Sequence, residues 1–97
     1  MNLDIRRGAV EDLKRMEKEV QKQIRDAIEG LKQDPLGDNC SLFRKQGLDL
    51  FRLKLKEGEL DHRVFYDLVD DKIVVYAVEH RDDAYTPESI EKIKSRS

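Results

Sequence analysis

A single cysteine, Cys40, leaves the chain without the means to form an intrachain disulfide. That excludes a disulfide-stapled scaffold and points to a reducing compartment. Cys40 stands between Asn39 and Ser41 with no Cys or His at metal-ligand spacing, so it reads as neither ligand nor nucleophile. Tryptophan is absent and aromatics make up only 6% of residues. No apolar run exceeds Ile73 to Val78, far too short to cross a bilayer, and the N-terminal residues carry no secretory h-region. The expected location is cytoplasmic, with no membrane partner. No charge sign dominates either: the net charge is −2, so composition alone does not advertise nucleic-acid binding. Internal repeats and dividing linkers are missing too. One domain over residues 1–97 is expected, burying roughly 60–70% of its unfolded surface around one modest core.

Charge is plentiful, at 41%, but mixed in sign along the chain, and clear apolar periodicity argues against disorder. Met1 to Arg6 alternates Leu3 and Ile5 with polar residues, a short strand. From Gly8, Val10, Leu13, Met16, Val20, Ile24, Ala27, Ile28 and Leu31 recur at spacings of three and four, an amphipathic helix with a core-facing stripe. Continuous to Leu31 it would be about 36 Å long, so a break near Glu17–Glu19 is expected. Gly30 and Pro35 stop it. Asp34 to Ser41 reads as a loop, after which Leu42 and Phe43 tuck inward before Gly47.

Leu50 to Leu55 alternates cleanly, with Phe51, Leu53 and Leu55 on one face and Leu50, Arg52 and Lys54 on the other. Lys56 to Glu59 is a turn. His62 to Val69 is a second strand, placing Val64, Tyr66 and Leu68 opposite Arg63, Phe65 and Asp67. A tight turn at Asp70–Lys72 leads into Ile73–Val78, apolar on both faces and therefore covered on both. Thr86 caps a last helix with Pro87 at its first position, and Ile90 and Ile93 form its apolar edge. The order is strand, long or broken helix, three antiparallel strands, short helix. The fold class is α+β: a small, mostly antiparallel sheet with a helical hairpin on one face and a short C-terminal helix.

Function is concentrated in the cations. From Ser41 to Arg63 there are six (Arg44, Lys45, Arg52, Lys54, Lys56, Arg63) against four acids, and from Val64 to Arg81 the balance reverses to two against four. Any basic patch is therefore made by folding. Arg52 and Lys54 point the same way, an adjacent strand can bring Arg63 beside them, and the last strand delivers His80, Arg81 and then Tyr85. Such a cluster suits a phosphodiester, because guanidinium groups bind phosphate oxygens bidentately and stabilise charge as it builds. A lysine among other cations can accept a proton, since its neutral form is favoured there. No carboxylate or His/Cys set reads as a metal site and no cofactor is implied, so the expected chemistry is metal-free. RNA allows that: the 2′-hydroxyl attacks the adjacent phosphate, leaving a 2′,3′-cyclic phosphate and a free 5′-hydroxyl. The bland alternatives are a solvated strand face for Arg52 and Lys54, a surface role for His62, a strand-end hydrogen bond for His80, and core packing for Tyr66 and Tyr76.

LFRLKL (50–55), HRVFY (62–66), DDKIVVYAV (70–78) and HRDDAY (80–85), in this order, resemble the RelE/ParE toxin superfamily, most closely the RelE-like mRNA interferases. The resemblance covers nearly the whole chain. It implies a type II toxin that cleaves mRNA on the ribosome and is neutralised by a cognate antitoxin. By position it implies Lys54 as a proton-transfer group, Arg52 in place of a cleft lysine and Arg63 as phosphate clamp. Arg81 would stabilise the transition state or protonate the leaving oxygen, and Tyr85 would activate the 2′-hydroxyl or stack on a base. Arg44, Lys45 and His80 join Arg52 as RNA-binding candidates. The chain departs from the family's strongly basic character, and Asp82 and Asp83 are expected to weaken the potential around Arg81. The alternatives are a ParE-type toxin that inhibits a topoisomerase, and a weakly active relative acting mainly as an antitoxin-binding corepressor.

Overall fold

The computed structural model describes all 97 residues. Strand β1 (Asn2–Ile5) leads into helices α1 (Arg7–Lys14) and α2 (Lys18–Gly30). The expected break lies between them. Arg15 and Met16 donate their amides to Asp12 and Leu13, three residues back, and Glu17 turns extended before α2 starts. A single helix of about 36 Å would overhang a molecule whose longest extent is 32 Å. The break folds the stripe back so that both halves face one sheet.

Four strands follow rather than the expected three: β2 (Cys40–Lys45), β3 (Leu48–Glu57), β4 (Leu60–Val69) and β5 (Lys72–His80). β2 corrects two expectations. The segment read as a loop to Ser41 becomes strand at Cys40, and Leu42 does not tuck inward. Strand alternation sends Phe43 into the core and leaves Leu42 48% exposed. The hairpin joining β2 to β3 is Gln46–Gly47, with φ of 51° and 88°. A two-residue turn with both residues left-handed matches the right-handed strand twist. At the β4–β5 turn, Asp70 takes the left-handed conformation, with φ 55°.

The sheet runs β1-β5-β4-β3-β2, with β1 parallel to β5 and every other pair antiparallel. It is an α+β sheet with a core on each face. Leu13, Ile24 and Ile28 of α1 and α2 pack on Leu53, Val64, Tyr66, Ile73 and Val75. The last helix, α3 (Pro87–Arg96), lays Ile90 and Ile93 on Phe43, Leu50, Phe65, Val74 and Tyr76. β5 is buried on both faces, as its sequence predicts. Thr86 Oγ1 accepts the Ser89 amide at 3.2 Å and Pro87 follows it, so the predicted cap is in place.

β1 covers the edge of β5 only as far as Val75. Beyond it, the Val78 amide donates to Asp12 Oδ2 (3.0 Å) and Arg96 Nη1 donates to the Tyr76 carbonyl (3.1 Å). Arg96 and Asp12 also pair with each other, at 2.8 and 3.3 Å, which ties the end of α3 to α1 across the strand edge. A Cβ on Gly8 would run into the Arg96 guanidinium, so glycine makes room for this crossing.

Candidate active site

Strand pairing gathers the predicted cleft. Arg52 and Lys54 on β3 stand opposite Phe65 and Arg63 on β4, all on the α3 side of the sheet. Just past the end of β5, the loop carrying Arg81 folds back: the Arg81 amide donates to the Asp61 carbonyl at 2.9 Å. That loop delivers Tyr85 over the same face, where its ring packs 5.9 Å from Phe43 and 6.4 Å from Phe65, centroid to centroid.

The Tyr85 hydroxyl is the hub. Arg52 Nη1 donates to it at 2.9 Å and Arg63 Nε at 3.2 Å. With both lone pairs engaged, the group the phenol can still offer is its proton. Arg52 Nη2 donates to Ser41 Oγ at 2.9 Å, and the Arg52 guanidinium lies 5.7 Å from the Tyr85 ring centroid. Arg63 is buried, its Nη1 held by Asp61 Oδ1 and the His62 carbonyl, both at 3.0 Å. Two of the predicted phosphate-binding arginines thus hold the tyrosine. The cations left facing outward are Lys54, exposed and directly opposite Arg63, and Arg81, whose side chain is 58% exposed and only 4.0 Å from Asp61 Oδ2 at its nearest.

The remaining predicted residues fall elsewhere. Arg44 shares the α2 side with Phe51 and Leu53 and pairs with Asp49 at 3.2 Å. Lys45 is on the cleft side but at the far hairpin, about 13 Å along the strand from Ser41. His80 faces the opposite side, its ring 5.2 Å from that of His62, and its Nδ1 accepts the Asp82 amide at 3.2 Å. The strand-end hydrogen bond is therefore its observed contact. His62 is not a surface residue: it is 8% exposed, beneath His80. Burial first, then the neighbouring His80 and Arg63 charges, lowers its pKa against the opposing pull of Asp61.

Two residues of the cleft carry no signal in the sequence. Ser41 and Asp61 each hold an arginine, and only pairing across strands and the i, i+2 alternation of one strand reveal it. Asp61 loses water on folding, which pushes its carboxyl up. The Arg63 hydrogen bond and the charges of Arg63, Lys56 and Arg81 outweigh this and hold it below the ordinary carboxylate value. Asp82, by contrast, lies beside His80, with its carboxylate 3.6 Å from the imidazole. The acid in contact with the cleft's arginines is Asp61.

The family model described as the ParE toxin of the parDE type II toxin–antitoxin system matches residues 3–85, from β1 through Tyr85. The chain belongs to this family. It is a toxin of a type II toxin–antitoxin system in the RelE/ParE superfamily. Its fold is shared with an Escherichia coli RelE double-arginine mutant in the free state, at 19% identity and TM-score 0.70, over 98% of this toxin and 95% of that chain. The toxin–antitoxin complex RelBE2 of Mycobacterium tuberculosis matches at 19% identity and TM-score 0.68, over 82% and 96%. The RelB–RelE complex of Methanococcus jannaschii matches at 21% and 0.61, over 87% and 96%. No curated protein sequence matches the toxin.

Proposed function

We propose that this toxin is a metal-independent endoribonuclease that cleaves mRNA on the ribosome and is held in check by a cognate antitoxin. The observation that supports it best is the convergence of Arg52, Arg63 and Tyr85, with Lys54 and Arg81 at their margin, on one face of the sheet. In this reading Lys54, once its ammonium has given up a proton to water, takes the proton of the 2′-hydroxyl. The 2′-oxygen bonds to phosphorus and the bond to the 5′-oxygen breaks. Tyr85 gives its proton to that leaving oxygen, and the phenolate that forms is already met by two guanidinium donors, needing no reorganisation. Arg81, the outward-facing guanidinium, lies against the non-bridging oxygens. Complexes of the M. jannaschii and M. tuberculosis relatives with their antitoxins support the antitoxin partner.

In vitro translation followed by primer extension tests this. Wild type should give discrete cuts in translated mRNA with 5′-hydroxyl ends. Arg81→Ala should lower the rate by about 10²–10³-fold, the usual cost of removing a transition-state donor. Intact mRNA with wild-type toxin and stalled ribosomes absent would reject it. The description of the matching family favours a second reading, a ParE-type toxin that inhibits a topoisomerase. A supercoiling assay separates the two, since inhibition there without RNA cleavage supports only the second. The corepressor alternative predicts neither activity.

A further inference from the structure

Arg63 is 5% exposed, and a guanidinium so buried needs acceptors for its donors. Asp61 supplies one. The two stand two residues apart on β4, so their side chains share a face, and Asp61 Oδ1 accepts from Arg63 Nη1 at 3.0 Å. That contact leaves Arg63 Nε aimed at the Tyr85 hydroxyl, 3.2 Å away. Asp61 is itself anchored, because its carbonyl accepts the Arg81 amide at 2.9 Å and so joins the start of β4 to the loop that carries Tyr85. A continuous path runs from Asp61 through Arg63 to Tyr85, and on through Arg52 to Ser41. An acid in a phosphate-binding cleft ought to oppose the substrate; its place in this path gives it another task.

We propose that Asp61 is a positioning residue: by fixing Arg63 it fixes the Tyr85 hydroxyl at the point from which it serves the substrate. The catalytic half of this rests on the endoribonuclease reading; the placement half does not, and the two are read separately. Placement is read by NMR of the toxin labelled with 13C at tyrosine Cζ. There are three tyrosines, and Tyr85→Phe identifies the signal of Tyr85. Asp61→Ala is expected to move that signal and leave those of Tyr66 and Tyr76 in place. Asp61→Asn, which keeps an oxygen for Arg63 and drops the charge, is expected to leave all three near their wild-type positions. An unmoved Tyr85 signal in Asp61→Ala overturns the proposal, and so does Asp61→Asn behaving as Asp61→Ala.

Catalysis is read by a double-mutant cycle in the translation assay. Asp61→Ala is expected to cut the cleavage rate by about tenfold to a hundredfold, the cost of a misplaced group. In a Tyr85→Phe background it is expected to cost nothing further. Additive losses overturn the proposal, as does faster cleavage by Asp61→Ala, the sign of a carboxylate that merely competes with phosphate. Should Asp61→Ala not fold, Asp61→Asn carries the test: near-wild-type cleavage and tyrosine signals support placement, and a loss of either overturns it. Absence of cleavage by wild type rejects the endoribonuclease reading alone, with the NMR result still deciding the placement.

Discussion

The Tyr85 ring packs against Phe43 and Phe65 while its oxygen takes two guanidinium hydrogen bonds, so removing the oxygen and removing the ring are different experiments. Tyr85→Phe keeps the packing and strands two donors. It should cost about 1–2 kcal/mol in urea unfolding yet lower cleavage by about 10²-fold. His62 makes a separate prediction about pH. Its folded pKa lies below the unfolded value of about 6.5, because burial, His80 and Arg63 disfavour the imidazolium. As pH falls through the unfolded value, the unfolded chain takes up the proton first, so stability declines from there to the folded pKa and then levels. Unfolding midpoints at pH 7.5 and 5.5 should show that decline in wild type and a smaller one in His62→Gln.

At the scale of elements, α3 is the piece whose role the sequence understates. Its narrow Ile90–Ile93 edge was legible; the clamp that holds it was not. Asp12, 4% exposed at its side chain, is shared by Arg96, Lys92 and the Val78 amide, which come from two other elements. Lys92 also reaches Glu79 at 2.7 Å. Asp12→Ala leaves Arg96 without its buried partner and should cost about 3–5 kcal/mol. For a domain of this size that lowers Tm by more than about 10 °C, readable by calorimetry. Arg96→Ala should cost less, about 1–3 kcal/mol, because Lys92 and the Val78 amide still face Asp12. β2 was hidden for a local reason. Of its six residues only Phe43 faces the α3-side core with an apolar group, and its turn is Gln-Gly rather than Asn-Gly.

The whole molecule carries a net charge of −2, and its cleft is correspondingly local. Arg52 and Arg63 are engaged by Tyr85, so on the endoribonuclease proposal Lys54 and Arg81 are the cleft cations left for phosphates. Binding of a short single-stranded RNA should then show a shallow salt dependence, with log K falling against log salt with a slope of about −1.4, two contacts at about −0.7 each. A slope steeper than about −3 between 50 and 200 mM salt would show that phosphate contacts extend well beyond this cleft. No helix is long and apolar enough to cross a membrane.

Periodicity determined the strand–helix–sheet–helix order and which side chains of β3 and β4 share a face, while helix length pointed to the break and the Thr86–Pro87 pair to the cap. The first two are consequences of bond geometry repeating every 2.0 or 3.6 residues, and a sequence displays them directly. The cleft's membership, Lys54, Arg52, Arg63, Arg81 and Tyr85, was legible as well, because strand alternation and the family pattern both mark it. What each member does with its hydrogen bonds was decided only by the tertiary structure. Whether an arginine is free to meet a phosphate depends on the neighbours that folding gives it. Here those neighbours are Ser41, Asp61 and Tyr85, and they lie eleven, two and twenty-two or more positions away in the chain. Strand register put His80 at the back of the sheet against His62, and the acid that Arg63 and Arg81 approach is Asp61.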